Sequence, residues 1–275
     1  MVTRIASVNV NGIRAAYRKG MGDWLAERKP DIVAVQEVRA ERADIDALVD
    51  STWHVINDEA TAKGRAGVAI LSRREPVAVR TEFGANDFDS AGRWIEADFH
   101  IGRKTVTVVS CYVHSGDVDT PKQVEKYTFL DAFEVRLTEL AEGDTFALVM
   151  GDLNVGHRTL DIKNWKGNTK KAGFLPAERA YFDRILGAED DPDYNAGAGL
   201  GWVDLGRRFS GEVPGPYTWW SQRGQAFDTD TGWRIDYHLA TPTLAKTALN
   251  YAIDKADAWD TRWSDHAPVV IDYDI

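Results

Sequence analysis

The sequence predicts an α/β protein in which two β-sheets pack together beneath an outer cover of helices. Three observations predict it. Strand-like segments recur from one end of the 275-residue chain to the other. Helical patterns are few and fall between them. No linker-like stretch or short repeat interrupts the series, so one domain spanning 1–275 is expected.

The strand-like segments, in order, are residues 4–10, 31–36, 67–72, 93–99, 105–113, 146–151, 233–240 and 267–275. Each is β-branched or apolar, and several alternate with period two, the mark of a strand with two unlike faces. A helix is expected over 14–29, halted by Pro30. A second, over 121–143, has a proline near its start, an apolar stripe through Phe129, Phe133 and Leu137, and Gly143 past its end. A third, over 176–187, repeats the proline-to-glycine frame. The run AGAGLG (196–201) is too brief to separate domains.

Composition narrows the class. Hydrophobic residues at 44% suffice for a large core, and no apolar run is long enough to span a membrane. Cys111 is the only cysteine, which excludes an intramolecular disulfide and a cysteine-cluster zinc site. No secretory pattern opens the chain, so a cytoplasmic protein is expected. The net charge of −10 (33 basic, 43 acidic residues) runs against generic nucleic-acid binding. It does not exclude it: a metal-dependent site concentrates carboxylates, and local basic patches still attract phosphate over roughly 8–10 Å.

Several strands end in acids or amides. The first delivers Asn9 and Asn11, the second Glu37, and FALVMGDLN delivers Asp152 and Asn154. Asp236 lies inside WRID, and Asp265–His266 directly precede the last strand. Polar groups at rigid strand ends can converge on one cleft. Magnesium takes hard oxygen ligands, commonly one or two carboxylates with phosphate and water. Phosphodiester cleavage then needs a base for water and positive charge for the developing oxyanion. Singly, each residue reads as ordinary: Glu37 as a strand-end carboxylate, Asp152 and Asn154 as turn formers, His266 as a loop histidine. The set as a whole favours chemistry.

That set resembles the exonuclease III/abasic-endonuclease family of the endonuclease–exonuclease–phosphatase superfamily. The resemblance runs through SVNVNGIRA, QEVR, YVHSG, GDLNVGHRTLDIKNWKGNTKKAGF, GWRIDYHLA and WSDHAPV, nearly the whole chain. GDLN followed by NxKGNxKxAGF is specific to this family. The wider superfamily, with DNase I and the inositol-polyphosphate 5-phosphatases, shares GDxN and SDH but not that lysine-rich segment.

The resemblance implies a four-layer α/β sandwich of the DNase I type, with two mainly antiparallel sheets and helices outside. It implies a Mg²⁺-dependent (alternatively Mn²⁺-dependent) DNA-repair phosphodiesterase that cuts abasic sites and trims 3′ ends of duplex DNA as a monomer. Glu37 looks like the main metal ligand, assisted by Asn9 and Asp265. Asp152 looks like the group that activates water, with Asn154 orienting it. His266, held by Asp236, looks like the clamp on the scissile phosphate, and Tyr112 like a phenol near the leaving group. In a two-metal reading Asp152, Asn154 and His266 also touch metal. Asn11, Arg14 and Asn168 look like substrate contacts.

Two departures stand out. Relatives often carry Val-Pro after the tyrosine, where this chain has Val113–His114. Without the proline the loop is less constrained, and His114 is expected to be an exposed loop residue, with a phosphate contact as the sharper alternative. Arg39 stands where lysine is common, which keeps charge but not geometry.

Residues 157–171 hold five Lys/Arg against one Asp. Directly after GDLN, a clamp on backbone phosphate through Lys163, Lys166, Lys170 and Lys171 is a better reading than a solvated loop. Arg14, Arg65 and Arg93 are weaker candidates of the same sort. Most of the ten tryptophans belong in the core. Trp219 and Trp233 fall where the family builds its pocket for a flipped sugar, and Ile235 would complete the apolar wall. Two other readings share these motifs: a phosphatase acting on inositol phosphates or lipid, and a binding protein that kept the fold without turnover.

Overall fold

The computed structural model describes residues 2–81, 91–143, 145–186 and 199–275. Its strands are β1 Val2–Asn9, β2 Ile32–Gln36, β3 His54–Asp58, β4 Val68–Ser72, β5 Ala78–Arg80 and β6 Trp94–Ile101. They continue as β7 Lys104–Tyr112, β8 Phe146–Asp152, β9 Val203–Asp204, β10 Asp236–Ala240, β11 Ala252–Ile253 and β12 Val269–Asp274. The helices are α1 Ile13–Arg18, α2 Met21–Arg28, α3 Arg42–Asp46, α4 Pro121–Leu140, α5 Pro176–Ile185, α6 Leu205–Ser210 and α7 Pro242–Ala245.

The strands form two six-stranded sheets, ordered β11-β12-β1-β2-β4-β3 and β5-β6-β7-β8-β10-β9. Both follow one plan. Each has a single parallel pair near its middle, β1–β2 in one and β7–β8 in the other, and every other pairing is antiparallel. A parallel pair needs a crossover. Here α1 and α2 supply the first and α4 the second. The consequence for function is direct, since parallel strands end at the same edge. Asn9 pairs with Gln36 beside Glu37, and Tyr112 pairs with Asp152.

The inner faces of both sheets meet in one apolar layer that includes Ile5, Ile32, Ile70, Phe99, Val106, Leu148 and Ile271. On the outside of the second sheet, Phe129, Phe133 and Leu137 of α4 bury the stripe expected from sequence. On the outside of the first, Ile13 and Ala16 of α1 and Met21 and Leu25 of α2 pack against Val8, Val33 and Leu71. The result is the expected four-layer sandwich.

Several local expectations change. The helix over 14–29 is two helices, because Gly20 takes φ 121°, a conformation that interrupts the helical ladder. The helix expected over 121–143 ends at Leu140. The strand over 233–240 begins only at Asp236. Trp233 instead exchanges backbone hydrogen bonds with Trp219, so residues 233–235 pair with a loop rather than the sheet. Strands β3, β5, β9 and β11 and helices α3, α6 and α7 lie in segments without a strong pattern. Gly187, and residues 196–198 of AGAGLG, fall outside the described residues. Among the described residues no helix is long and apolar enough to cross a membrane.

Candidate active site

A cleft of about 860 Å³ opens where the carboxyl ends of both parallel pairs meet. Gly151 explains part of this geometry. It has φ 141°, and a Cβ there would lie 1.9 Å from the Cys111 carbonyl oxygen. Only glycine therefore lets β8 approach β7 closely enough to set Asp152 beside Tyr112.

The polar groups are joined across the sandwich. Asn9, from the first sheet, donates its amide to Glu37 Oε1 (2.9 Å) and to Asp152 Oδ2 of the second sheet (2.9 Å). Its Oδ1 accepts the Asn11 backbone N–H (3.0 Å). The Tyr112 hydroxyl donates to Glu37 Oε1 at 2.8 Å. His266 Nδ1 lies 2.9 and 3.1 Å from the two Asp236 oxygens, and its Nε2 lies 3.8 Å from Asp152 Oδ2. Asp265 accepts from Asn11 Nδ2 (2.9 Å) and Trp219 Nε1 (3.3 Å). Asn154 donates from its backbone to Asp152 Oδ1 (3.0 Å) and from its side chain to Val113 O (2.9 Å).

Burial differs sharply within this set. Asp152 is 2% exposed, Asp236 1% and His266 7%, whereas the Glu37 side chain keeps 13% and faces the cleft. Burial raises the Asp152 carboxyl above its usual range, helped by the nearby Asp236 and Glu37 carboxylates and opposed by His266. Burial alone would lower His266, but Asp236 and Asp152 overcome it and hold the imidazole protonated well above its usual range. Burial likewise raises the Tyr112 phenol, reinforced by Glu37.

Asn11, Glu37, Arg39 and Asn154 all have φ between 47° and 51°. Such conformations are uncommon for Glu and Arg, and they cluster here because the surroundings hold them. Gly12 N–H donates to Glu37 O (2.8 Å), and Val38 N–H to Gly67 O (3.0 Å).

The apolar wall also assembles. Trp219 and Trp233 stand edge to face with centroids 6.1 Å apart, and both line the cleft with Ile235. Thr218 Oγ1 accepts the backbone N–H of Ile235 and of Asp236, each at 3.1 Å, tying the wall to the His266 partner.

The basic candidates divide. Lys171 and Asn168 line the cleft, and the Asn168 side chain donates to Asn164 O (2.8 Å). Lys163, Lys166 and Lys170 are exposed but stand away from it. Arg14 and Arg65 belong to an adjoining cavity of about 710 Å³, where Arg14 pairs with Asp44 at 3.2 Å. Arg93 is committed elsewhere: its guanidinium covers the Tyr112 ring at 4.7 Å and donates to Tyr112 O. Arg39 is ion-paired with Glu37.

His114 corrects the exposed-loop expectation. It is half-buried with its ring 5.5 Å from Phe129 of α4. Burial, then Arg93 and Lys126, push its pKa down to about 3, which leaves no cation to hold phosphate. Sequence reasoning passed over Thr218, Ser115 and Arg223. Thr218 and Arg223 fall with Trp219 in YTWWSQR, and Ser115 lies inside YVHSG, so membership of those motifs was the available signal.

Carboxylates facing one cleft, with a buried acid–histidine pair beside them, form a site able to hold a hard cation and suited to hydrolysis. Asp152, Asp236 and His266 offer ligand atoms within 4.8 Å of one another; the expectation for a second ion had Asn154 in place of Asp236. The chain belongs to the Endonuclease/Exonuclease/phosphatase family, which it matches over residues 6–266. Within that class it stands with the exodeoxyribonucleases and AP endonucleases. It is 32% identical to an exodeoxyribonuclease of Bacillus subtilis (strain 168) over 267 residues, covering 97% of each chain. Its fold superimposes on an AP endonuclease from Archaeoglobus fulgidus with TM-score 0.82 and 30% identity, covering 99% of this chain and 100% of that one. A 3′-5′ exonuclease (NExo) from Neisseria meningitidis gives TM-score 0.83 and 28% identity, with the same coverage.

Proposed function

We propose that the protein is a Mg²⁺-dependent DNA-repair phosphodiesterase of the exonuclease III type, which incises duplex DNA at abasic sites and removes groups and nucleotides from 3′ ends. The enzyme is a hydrolase of DNA phosphodiester bonds. One observation carries the reading: Glu37, Asp265, Asp152 and His266 share a cleft walled by Trp219, Trp233 and Ile235, while buried Asn9 joins Glu37 to Asp152 and buried Asp236 orients His266. Double-stranded DNA is the partner, and a monomer suffices, since the described residues of one chain line the cleft; the same reading puts the enzyme in the cytoplasm.

Glu37, Asn9 and Asp265 would hold the metal. Glu37 and Asp265 offer carboxylate oxygens, as Mg²⁺ requires and Mn²⁺ accepts, and Asn9 would add its Oδ1, which here accepts the Asn11 backbone N–H. A metal held there would supply Lewis acidity for a phosphate oxygen and for the charge on the leaving group. The chain does the rest. Asp152, buried and raised toward neutrality, takes the proton of the attacking water, and Asn154 fixes that carboxylate and orients the water. His266, oriented through Nδ1 by Asp236, presents Nε2 toward the phosphate. The Tyr112 phenol, covered by Arg93, stands beside Glu37 near the leaving oxygen. The tryptophan wall accepts a baseless sugar turned out of the helix. Lys171, Asn168, Asn11 and Arg14, with the outlying Lys163, Lys166 and Lys170, grip backbone phosphates.

The test is a duplex containing one abasic analogue, incubated with and without Mg²⁺ beside an inositol polyphosphate. Magnesium-dependent incision at the analogue is expected. Release of phosphate from the inositol alone would favour the phosphatase reading, and DNA binding without turnover a regulatory one.

A further inference from the structure

Lysine is rarely fully buried, because its ammonium must give up its hydration. Lys126 of α4 is 0% exposed, on the same helix face as Phe129 and Phe133. Its Nζ has three partners: Glu178 Oε1 of α5 at 2.7 Å, Asn154 O at 2.9 Å and Ser115 O at 3.3 Å. An ammonium has three donors, so each is used. Glu178 is engaged as well, accepting Gln123 Nε2 (3.0 Å) and the Leu175 backbone N–H (2.9 Å).

The two carbonyls give this pair its interest, because Asn154 and Ser115 both line the cleft. Asn154 sits at φ 50° and holds Asp152 through its backbone N–H and, at 3.3 Å, its side chain. Beside Ser115, a Cβ on Gly116 would lie 3.0 Å from Lys126 Cδ, so that loop rests on the lysine stem. A buried ion pair contributes little net stability against a well-packed apolar pair. Stability is therefore a poor account of this lysine, and its contacts supply a better one.

We infer that Lys126 is a positioning residue: from behind the cleft its ammonium fixes the carbonyls of Asn154 and Ser115, and so holds Asn154 and the Asp152 carboxylate in register with the substrate. This rests on the nuclease reading above. Glu178 serves by orienting and neutralising the ammonium.

The experiment measures kcat, KM and melting temperature on the abasic-analogue duplex for the wild type and for Lys126→Met/Glu178→Gln. The same pair is then introduced into Asp152→Asn. In the wild-type background kcat should fall by about 10²-fold at nearly constant KM, the scale of a misplacement near 1 Å. In the Asp152→Asn background, where no carboxylate is left to hold in register, the same change should remove only a small part of that, because residues acting through one another are not additive. A fall in kcat within about twofold, or equal losses in both backgrounds, would overturn the inference. Should the double variant melt below the assay temperature, Lys126→Arg takes its place. The guanidinium keeps charge but not the three-way geometry, and the same outcomes decide. A wild type that does not cleave the duplex sinks the nuclease reading and this inference with it, whereas additive losses in an active enzyme sink this inference alone.

Discussion

In the first sheet the parallel pair β1–β2 ends at Asn9 and Glu37; in the second, β7–β8 ends at Tyr112 and Asp152. The backbone plan is the same, yet the two ends differ physically. Glu37 keeps 13% of its side-chain surface and faces open cleft. Asp152 is 2% exposed and accepts from Asn9 and Asn154. A partly open carboxylate can exchange water for a cation. A buried one has its pKa moved by desolvation and becomes a proton acceptor. In the proposed mechanism one strand arrangement, used twice, thus supplies two chemistries, and burial separates them.

Breaking the second sheet's half should have the largest effect. Asp152→Asn preserves shape but cannot take the water's proton, so single-turnover incision should drop by about 10²–10⁴-fold. A loss under about tenfold with DNA binding intact would remove Asp152 from that role.

Breaking the first half should look different. Glu37→Ala should raise the Mg²⁺ concentration for half-maximal activity by at least the roughly 10–100-fold that even an outer-shell partner is worth. The fold should survive, since Glu37 lies at the cleft rather than in the core. Wild-type activity at limiting Mg²⁺ would show that the metal sits elsewhere.

Trp219 probes the wall between the halves. Trp219→Ala removes apolar surface worth about 1.5–3 kcal/mol, so abasic incision should slow roughly 10- to 100-fold. Trimming of a frayed 3′ end needs less of the wall and should suffer less. Equal losses on both substrates, or a large drop in melting temperature, would make Trp219 a core residue only.

The lysine segment should change affinity without chemistry. Replacing Lys163, Lys166, Lys170 and Lys171 by Ser should raise KM for duplex DNA at steady kcat. The salt-dependence slope should lessen by about 0.9 for each phosphate that is no longer neutralised. Because only Lys171 lines the cleft, Lys171→Ser alone should account for most of any effect on short duplexes. An unchanged slope would leave the segment a solvated loop.

The smallest effect concerns stability alone. His238 of β10 is buried 3.3 Å from the Tyr273 hydroxyl of β12, another contact across the sandwich. Burial pushes its pKa down to about 3 from an ordinary 6.5. Its folded pKa is depressed, so the neutral ring's contribution is full above pH 6.5 and is lost as pH falls toward 3. The slope from this group is at most about 1.4 kcal/mol per pH unit. His238→Gln should flatten that acid arm of the melting profile, with activity at neutral pH little changed. An unaltered profile would place the acid sensitivity in other groups.

Much of the site was legible because strand ends are local features. The apolar runs before Asn9, Glu37 and Asp152, and the Pro-Val-Val after Asp265–His266, mark where rigid backbone delivers a polar side chain. The helix over 14–29 was misread because an amphipathic pattern carries across Gly20, whereas the backbone there does not. His114 was expected to be an exposed loop residue and Arg93 to be a weak candidate for phosphate contact. Only packing shows that one lies against Phe129 and the other over Tyr112.

By itself, the sequence determined most of the strands, the stripe of α4, the roll of acids and amides, and the family, since each depends on residue type and short-range spacing. The tertiary structure alone decided the partners: Asn9 with Asp152, Tyr112 with Glu37, His266 with Asp236, and Lys126 behind Asn154. These pairs lie 28 to 143 positions apart along the chain, beyond any periodicity. Burial follows from the same packing, and in the proposed mechanism burial separates the carboxylate that would bind a cation from the one that would take a proton.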